Sequence, residues 1–172
     1  MREDVLITQD YTKNLRRKFA DLIYEKMSTD PNIIVITGDL GYKIWDPIRK
    51  DFPDRFINAG AAEQAMVGIA VGLALEGYIP IVYSITTFLL YRPFETIRNY
   101  LNHEKIPVKL IGSGRDKDYT HDGISHWSTE DKQVLAIFSE IIGFWPNDVD
   151  ELSQQFDKIL YNNLPTYVNL KK

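Results

Sequence analysis

The stretch Arg55-Phe56-Ile57-Asn58-Ala59-Gly60-Ala61-Ala62-Glu63-Gln64-Ala65-Met66-Val67-Gly68-Ile69-Ala70-Val71-Gly72-Leu73-Ala74 decides the fold. Its first four residues read as a short strand, and Gly60 supplies a turn. From about Ala61 to Glu76 the residues are small and apolar over a length only a helix uses, and Gly77 follows as a C-cap. A strand that turns through glycine into a helix is the opening half of a βαβ unit.

The same alternation extends outward in both directions. Upstream, Leu15, Phe19, Leu22, Ile23 and Met27 recur at helical spacing and predict an amphipathic helix from about Thr12 to Met27. Pro31-Asn32 breaks it, and Ile33 to Ile36 then reads as a buried strand ending at Gly38-Asp39-Leu40-Gly41. Downstream, strands are predicted at Ile79–Ile85, Val108–Ile111, Ile141–Phe144 and Pro165–Leu170. A helix is marked by Phe94, Ile97 and Leu101. Ser128 with Asp131, and Asp148 with Glu151, resemble capping boxes opening two more helices. Strand and helix alternating in this way predict an α/β three-layer sandwich, a mostly parallel sheet of about six strands with helices on both faces. Ligands bind such sheets at the carboxyl ends of the strands, where Asp39, Gly60 and the polar loop Gly112–Ser125 fall.

Composition narrows the function. The 172 residues suit one domain, and 44% hydrophobic with 26% charged residues is ordinary for a globular protein. A net charge of −4 argues against nucleic acid or an anionic membrane as partner. With no cysteine, thiolate catalysis and cysteine-ligated zinc are excluded. The first ten residues lack the apolar core of a signal peptide, and the longest apolar stretch, Ala65 to Leu75, falls far short of a bilayer span. A cytoplasmic location is the expectation.

Over nearly its whole length the chain resembles the pyrimidine-binding domain of transketolases. The resemblance is carried by Phe52 to Ala74, Thr87-Phe88, Arg92 to Asn99, Val108 to Ser113, Asp122-Gly123, Ser125-His126 and Glu130-Asp131, in the family's order. It implies thiamine diphosphate as cofactor and Glu63 as the carboxylate that hydrogen-bonds N1′ of its aminopyrimidine. That contact favours the tautomer able to deprotonate C2 of the thiazolium. Without the surrounding match, a first-turn glutamate reads more readily as a complement to the helix dipole.

The resemblance also implies that Phe88, Tyr91 and Phe94 wall the aminopyrimidine, although aromatics at this spacing otherwise read as a core stripe. It places Asp39 near the cofactor, Asp122 and His126 against substrate hydroxyls, and Arg16 on a substrate phosphate, with His126 also a proton-exchanging group. Some positions depart from the family. Trp127 stands where glutamine is usual, Gly41-Tyr42-Lys43 where a serine is expected, and Lys171-Lys172 where an arginine often binds phosphate. These changes gather on the acceptor side, and Trp127 with Lys43 suggests an acceptor other than the common pentose phosphates, a larger or activated sugar.

The diphosphate half is missing. In the family Mg²⁺ and diphosphate are held by a Gly-Asp-Gly motif followed about thirty residues later by Asn, on another domain. This sequence has no such motif and no metal ligands of its own to assign. The expectation is a single pyrimidine-binding domain over 1–172, without a diphosphate-binding or transketolase C-terminal domain. Mg²⁺ would then be bound through a diphosphate-binding partner subunit, in a heterotetramer acting on a sugar or sugar phosphate. The alternatives keep the cofactor and change the reaction, toward 1-deoxyxylulose-5-phosphate synthase or a 2-oxoacid dehydrogenase β subunit, or keep the fold as a non-catalytic binding module.

Overall fold

Strands β1 (Ile33–Thr37), β2 (Phe56–Asn58), β3 (Ile79–Ile85), β4 (Lys109–Ser113), β5 (Ile142–Phe144) and β6 (Thr166–Leu170) form one sheet. Their order is β2-β1-β3-β4-β6-β5, and every neighbouring pair is parallel. The computed structural model describes residues 14–172. The helices are α1 (Leu15–Met27), α2 (Asp46–Asp51), α3 (Glu63–Leu75), α4 (Thr86–Tyr91), α5 (Phe94–Thr96), α6 (Asp131–Leu135) and α7 (Val149–Tyr161). Asn14 caps α1, its Oδ1 accepting from the Arg17 N–H at 3.1 Å. The predicted start of that helix at Thr12 lies outside the described residues.

Alternate residues of the central strands face opposite ways, so the sheet has two cores. Ile33, Val35, Ile81, Tyr83, Ile111 and Val168 meet α1 and α7, where Phe19 lies edge-on to Phe156 at 5.6 Å. Ile34, Ile36, Val82, Leu110 and Tyr167 meet α3, α4 and the turns beyond them. Both cores are needed because β1, β3, β4 and β6 have no solvent face. That is why these segments read as continuous apolar runs.

The α3 helix ends as the sequence predicts. Gly77 takes φ +89°, its N–H donates to Ala74 O at 3.1 Å, and the Tyr78 N–H donates to Leu73 O at 3.0 Å. This is a Schellman closure, which glycine reaches without steric cost. The Asp148 cap is also present, with Oδ1 accepting from Asp150 N at 3.1 Å and Glu151 N at 2.8 Å.

Two expectations need correction. Ser128 and Asp131 do not form a capping box: Glu130 is the residue before α6 and makes no side-chain cap. The Ser128 hydroxyl donates instead to Gly114 O, and the Asp131 carboxylate turns inward. The Phe94–Leu101 helix is not regular either. Pro93 separates α4 from α5, and from Ile97 to His103 the chain widens into π-type turns. Proline lacks the N–H a continuous helix would use, so the stripe Phe88–Tyr91–Phe94 is divided.

Candidate active site

β1 and β3 are adjacent, but their connections leave in opposite directions along the sheet, so a crevice opens at their carboxyl ends. Gly38 directly follows β1 there. A Cβ at this position would lie 2.8 Å from Met66 Sδ, 3.0 Å from Gly60 O and 3.7 Å from Glu63 Oε1. The absence of a side chain therefore lets the start of α3 close against β1. That contact delivers Glu63 to the crevice at 2% exposure.

A buried carboxylate needs donors, and Glu63 has two among the described residues. Ser84 Oγ, near the end of β3, donates to Oε1 at 2.9 Å. Arg92 Nη1 donates to Oε2 at 2.7 Å. The Arg92 guanidinium also lies on the face of Phe88, with Cζ 3.8 Å from the ring centroid. The imidazole of His126 meets the same ring edge-on at 4.9 Å. Glu63, Phe88 and His126, from α3, α4 and the loop after β4, are thus linked through Phe88 and Arg92. Neither Ser84 nor Arg92 carries a role in the sequence reading. An arginine four residues after an aromatic was visible, but its 29-residue separation from Glu63 hid the pairing.

The other predicted residues are placed differently. The Tyr91 hydroxyl donates to Glu130 Oε1 at 2.6 Å. Burial and that carboxylate raise the phenol, and the hydrogen bond holds Glu130 below the usual carboxylate range. Phe94 packs on Phe138 at 5.0 Å and belongs to the α3-side core. Asp39 is exposed in the left-handed region at φ +55°. Its Oδ1 accepts from the Tyr42 hydroxyl at 2.6 Å and from Asn58 Nδ2 at 3.4 Å, which lowers its carboxyl. Asp122 is exposed in a single 3-10 turn, one residue before Gly123 at φ +76°.

Arg16 stands on the opposite side of the carboxyl edge. It lines a cavity of 960 Å³ with Arg17, Lys43, Tyr83, Ser113 and Tyr119, and Glu63 is not part of that lining. Tyr119 connects the two regions. Its hydroxyl is 2.8 Å from Ser113 Oγ and accepts from Arg16 Nη1 at 3.5 Å, while its ring lies 5.8 Å from His126. The sequence reading assigned Tyr119 nothing, since an isolated loop tyrosine carries no local signal. Trp127 braces the loop: its indole N–H donates to Tyr119 O at 3.2 Å and Lys117 Nζ lies 4.5 Å from its ring.

The loop is anchored from below by a buried polar network. Asp131 Oδ2 accepts from Trp145 Nε1 at 2.8 Å, the Tyr167 hydroxyl at 2.9 Å and Asn169 Nδ2 at 2.8 Å. Arg115, the second residue after β4, donates to Asn169 Oδ1 and O and to Pro146 O. Every member has a partner, and such networks are rigid.

This donor set suits a flat, cationic heterocycle with N–H groups at its edge: an aromatic face, a buried carboxylate beside it and a neighbouring imidazole. A guanidinium of that description already makes the first two contacts. Nothing in the set suits a diphosphate or its metal. Among the described residues no three His, Asp or Glu side chains gather as metal ligands, and no helix is long and apolar enough to cross a membrane.

Residues 12–172 match the family described as transketolase, pyrimidine binding domain. Among curated relatives, the 6-deoxy-6-sulfo-D-fructose transketolase subunit of Clostridium sp. strain MSTE9 is 29% identical, covering 91% of this chain and 49% of its own length. An apulose-4-phosphate transketolase subunit of Actinobacillus succinogenes is 34% identical over 72% of this chain and 40% of its own. A split-gene transketolase structure, described as an inactive β4 tetramer, superposes with a TM-score of 0.80 at 28% identity, covering 92% of this chain and 50% of that one. The chain thus spans about half the length, or less, of the relatives it matches. With a parallel six-stranded sheet, a buried first-turn glutamate beside an aromatic face and a match over all the described residues, the chain belongs to the transketolase pyrimidine-binding domain family.

Proposed function

We propose that residues 1–172 form a single pyrimidine-binding domain and supply that half of a split thiamine-diphosphate transketolase site. The carrying observation is Glu63, a carboxylate only 2% exposed yet bonded to the guanidinium that lies on the Phe88 face. In this reading Glu63 holds and shares the proton on N1′ of the aminopyrimidine, and Phe88 stacks on the ring. Ser84 keeps the carboxylate oriented through its 2.9 Å hydrogen bond. The cofactor, when bound, supplies the carbanion chemistry for moving a two-carbon ketol unit from a ketose or ketose phosphate to an aldose. His126, edge-on to Phe88, exchanges a proton with the substrate. Asp122 bonds its hydroxyls, Arg16 in the 960 Å³ cavity receives an anionic group, and Asp39 borders the cofactor. Tyr91, bonded to Glu130, and Phe94, packed on Phe138, extend the wall beyond Phe88.

A partner polypeptide carries the diphosphate and Mg²⁺ in this reading. The outer face of α3 supports it: Ala65, Gly68, Ile69, Gly72 and Leu75 are exposed, Leu75 to 69%. A Cβ at Gly68 or Gly72 would meet nothing within 4 Å, so neither glycine is required by packing inside the chain. Small residues there allow a second backbone to approach closely, as in a heterotetramer of two such chains and two partners. The inactive β4 form of the split-gene neighbour agrees with a half-site that is idle without its partner.

The test is reconstitution. The chain is purified with and without a diphosphate-binding transketolase subunit, and ketol transfer is assayed with thiamine diphosphate and Mg²⁺. Activity should require both polypeptides. Turnover by this chain alone, or full turnover by the pair carrying Glu63→Gln, would reject the reading.

A further inference from the structure

Arg92 makes the same two contacts that the proposed function assigns to the cofactor's aminopyrimidine. Its guanidinium lies 3.8 Å from the centre of the Phe88 ring, and its Nη1 donates to Glu63 Oε2 at 2.7 Å. The chemistry is alike as well as the position. Guanidinium and an N1′-protonated 4-aminopyrimidine are both flat, delocalised cations with N–H donors along one edge. Both gain from stacking on an aromatic quadrupole and from a charge-assisted bond to carboxylate. One carboxylate oxygen and one ring face cannot serve both at once.

Arg92 is also built to leave. Its side chain is 45% exposed, whereas Glu63 is nearly sealed. It follows directly after α4, and Pro93 interrupts the helix beyond it, so no longer helix constrains it. The second donor, Ser84, is fully buried and stays with Oε1 when the arginine moves. From its exposed position a displaced guanidinium regains water at little cost.

We infer that Arg92 is a built-in competitor for the aminopyrimidine: it satisfies Glu63 and covers Phe88 until the ring takes its place, and so sets how tightly this half-site holds the ring. The inference rests on the proposed function above. It makes Arg92 a positioning residue that weakens ring binding while protecting Glu63 from being a buried, uncompensated charge.

Binding of a minimal probe, 4-amino-2,5-dimethylpyrimidine, to the full chain by calorimetry tests this. Arg92→Met should bind the probe roughly three- to tenfold more tightly than the wild type, the range expected when a half-exposed ion pair and a cation–π contact no longer compete. Arg92→Lys keeps the charge without the plane and should fall between them; it decides the matter if the methionine variant does not fold. Adding Glu63→Gln to Arg92→Met should abolish the gain. A purely structural arginine predicts the opposite sign, because its loss would loosen the site. Equal or weaker binding by Arg92→Met, or by Arg92→Lys where that variant decides, overturns the inference. So does failure of the deciding variant to bind up to the probe's solubility limit. If the wild type binds the probe through Glu63 and removing Arg92 gains nothing, the inference fails alone. If no variant binds it, the reading of the site fails with it.

Discussion

Two carboxylates in this molecule are almost equally buried, Glu63 at 2% and Asp131 at 4% exposure, yet they are held in different ways. Asp131 takes three hydrogen bonds at one oxygen from Trp145, Tyr167 and Asn169, all built into the sheet or the loop beside it. Glu63 takes one from fixed Ser84 and one from Arg92, which is half in solvent. A charge satisfied only by rigid internal donors serves the scaffold. A charge that leaves one of its donors free to depart can exchange that partner for a ligand. Burial alone does not distinguish the two; the exposure of the donors does.

The largest expected effect tests the functional side of this contrast. With the partner subunit present, Glu63→Gln should lower ketol-transfer turnover by about 10²- to 10⁴-fold, the usual worth of a positioned proton-transfer group. The change keeps the shape of the side chain and a hydrogen-bonding oxygen for Ser84, so the thermal midpoint should stay close to that of the wild type. Asp131→Ala should do the reverse. It strands three buried donors, and urea titration should show a loss of about 3 kcal/mol.

Lys109 sharpens the comparison with a buried cation. Among the described residues its ammonium has only neutral acceptors, at Asn162 O and Oδ1, Leu164 O and Thr166 Oγ1, and burial pushes it down from 10.5 to about 8. The folded state then binds fewer protons than the unfolded state between those values, so stability rises with pH across that window. Below about pH 8 the full cost of the buried charge is present. Between about pH 8 and about pH 9 the wild type should gain about 1 kcal/mol relative to Lys109→Met in denaturant titrations. A flat difference would show that the acceptors keep the ammonium at its ordinary value.

The smallest effect concerns the aromatic face. Phe88→Leu retains apolar bulk but removes the quadrupole, and should weaken binding of the aminopyrimidine probe by about threefold, or ~0.7 kcal/mol. In the Arg92→Met background, where the ring no longer competes with a guanidinium for that face, the same substitution should cost more.

Most of the architecture was legible before the structure. The strand positions at β1, β3 and β6 follow from apolar runs bounded by Pro, Gly and Asn. The closure of α3 at Gly77 and the Asp148 cap follow from local residue chemistry. The failures are also local. Ser128-x-x-Asp131 has the form of a capping box, but the longer-range partners Gly114, Tyr167 and Asn169 took both side chains. The Phe88–Tyr91–Phe94 stripe is crossed by Pro93 before its last member, and the three side chains meet Arg92, Glu130 and Phe138.

By itself, the sequence determined the parallel α/β fold and the family, and it singled out Glu63 as the expected site residue. Each depends on periodicity or on an ordered run of neighbours, and such information survives in one dimension. Only the tertiary structure decided which donors Glu63 keeps, that Arg92 lies on Phe88, and that Tyr119 joins the Arg16 cavity to His126. Glu63 and Arg92 are 29 positions apart, and Arg16 and Tyr119 are 103 apart. No local pattern records which distant side chains a folded sheet will bring into contact.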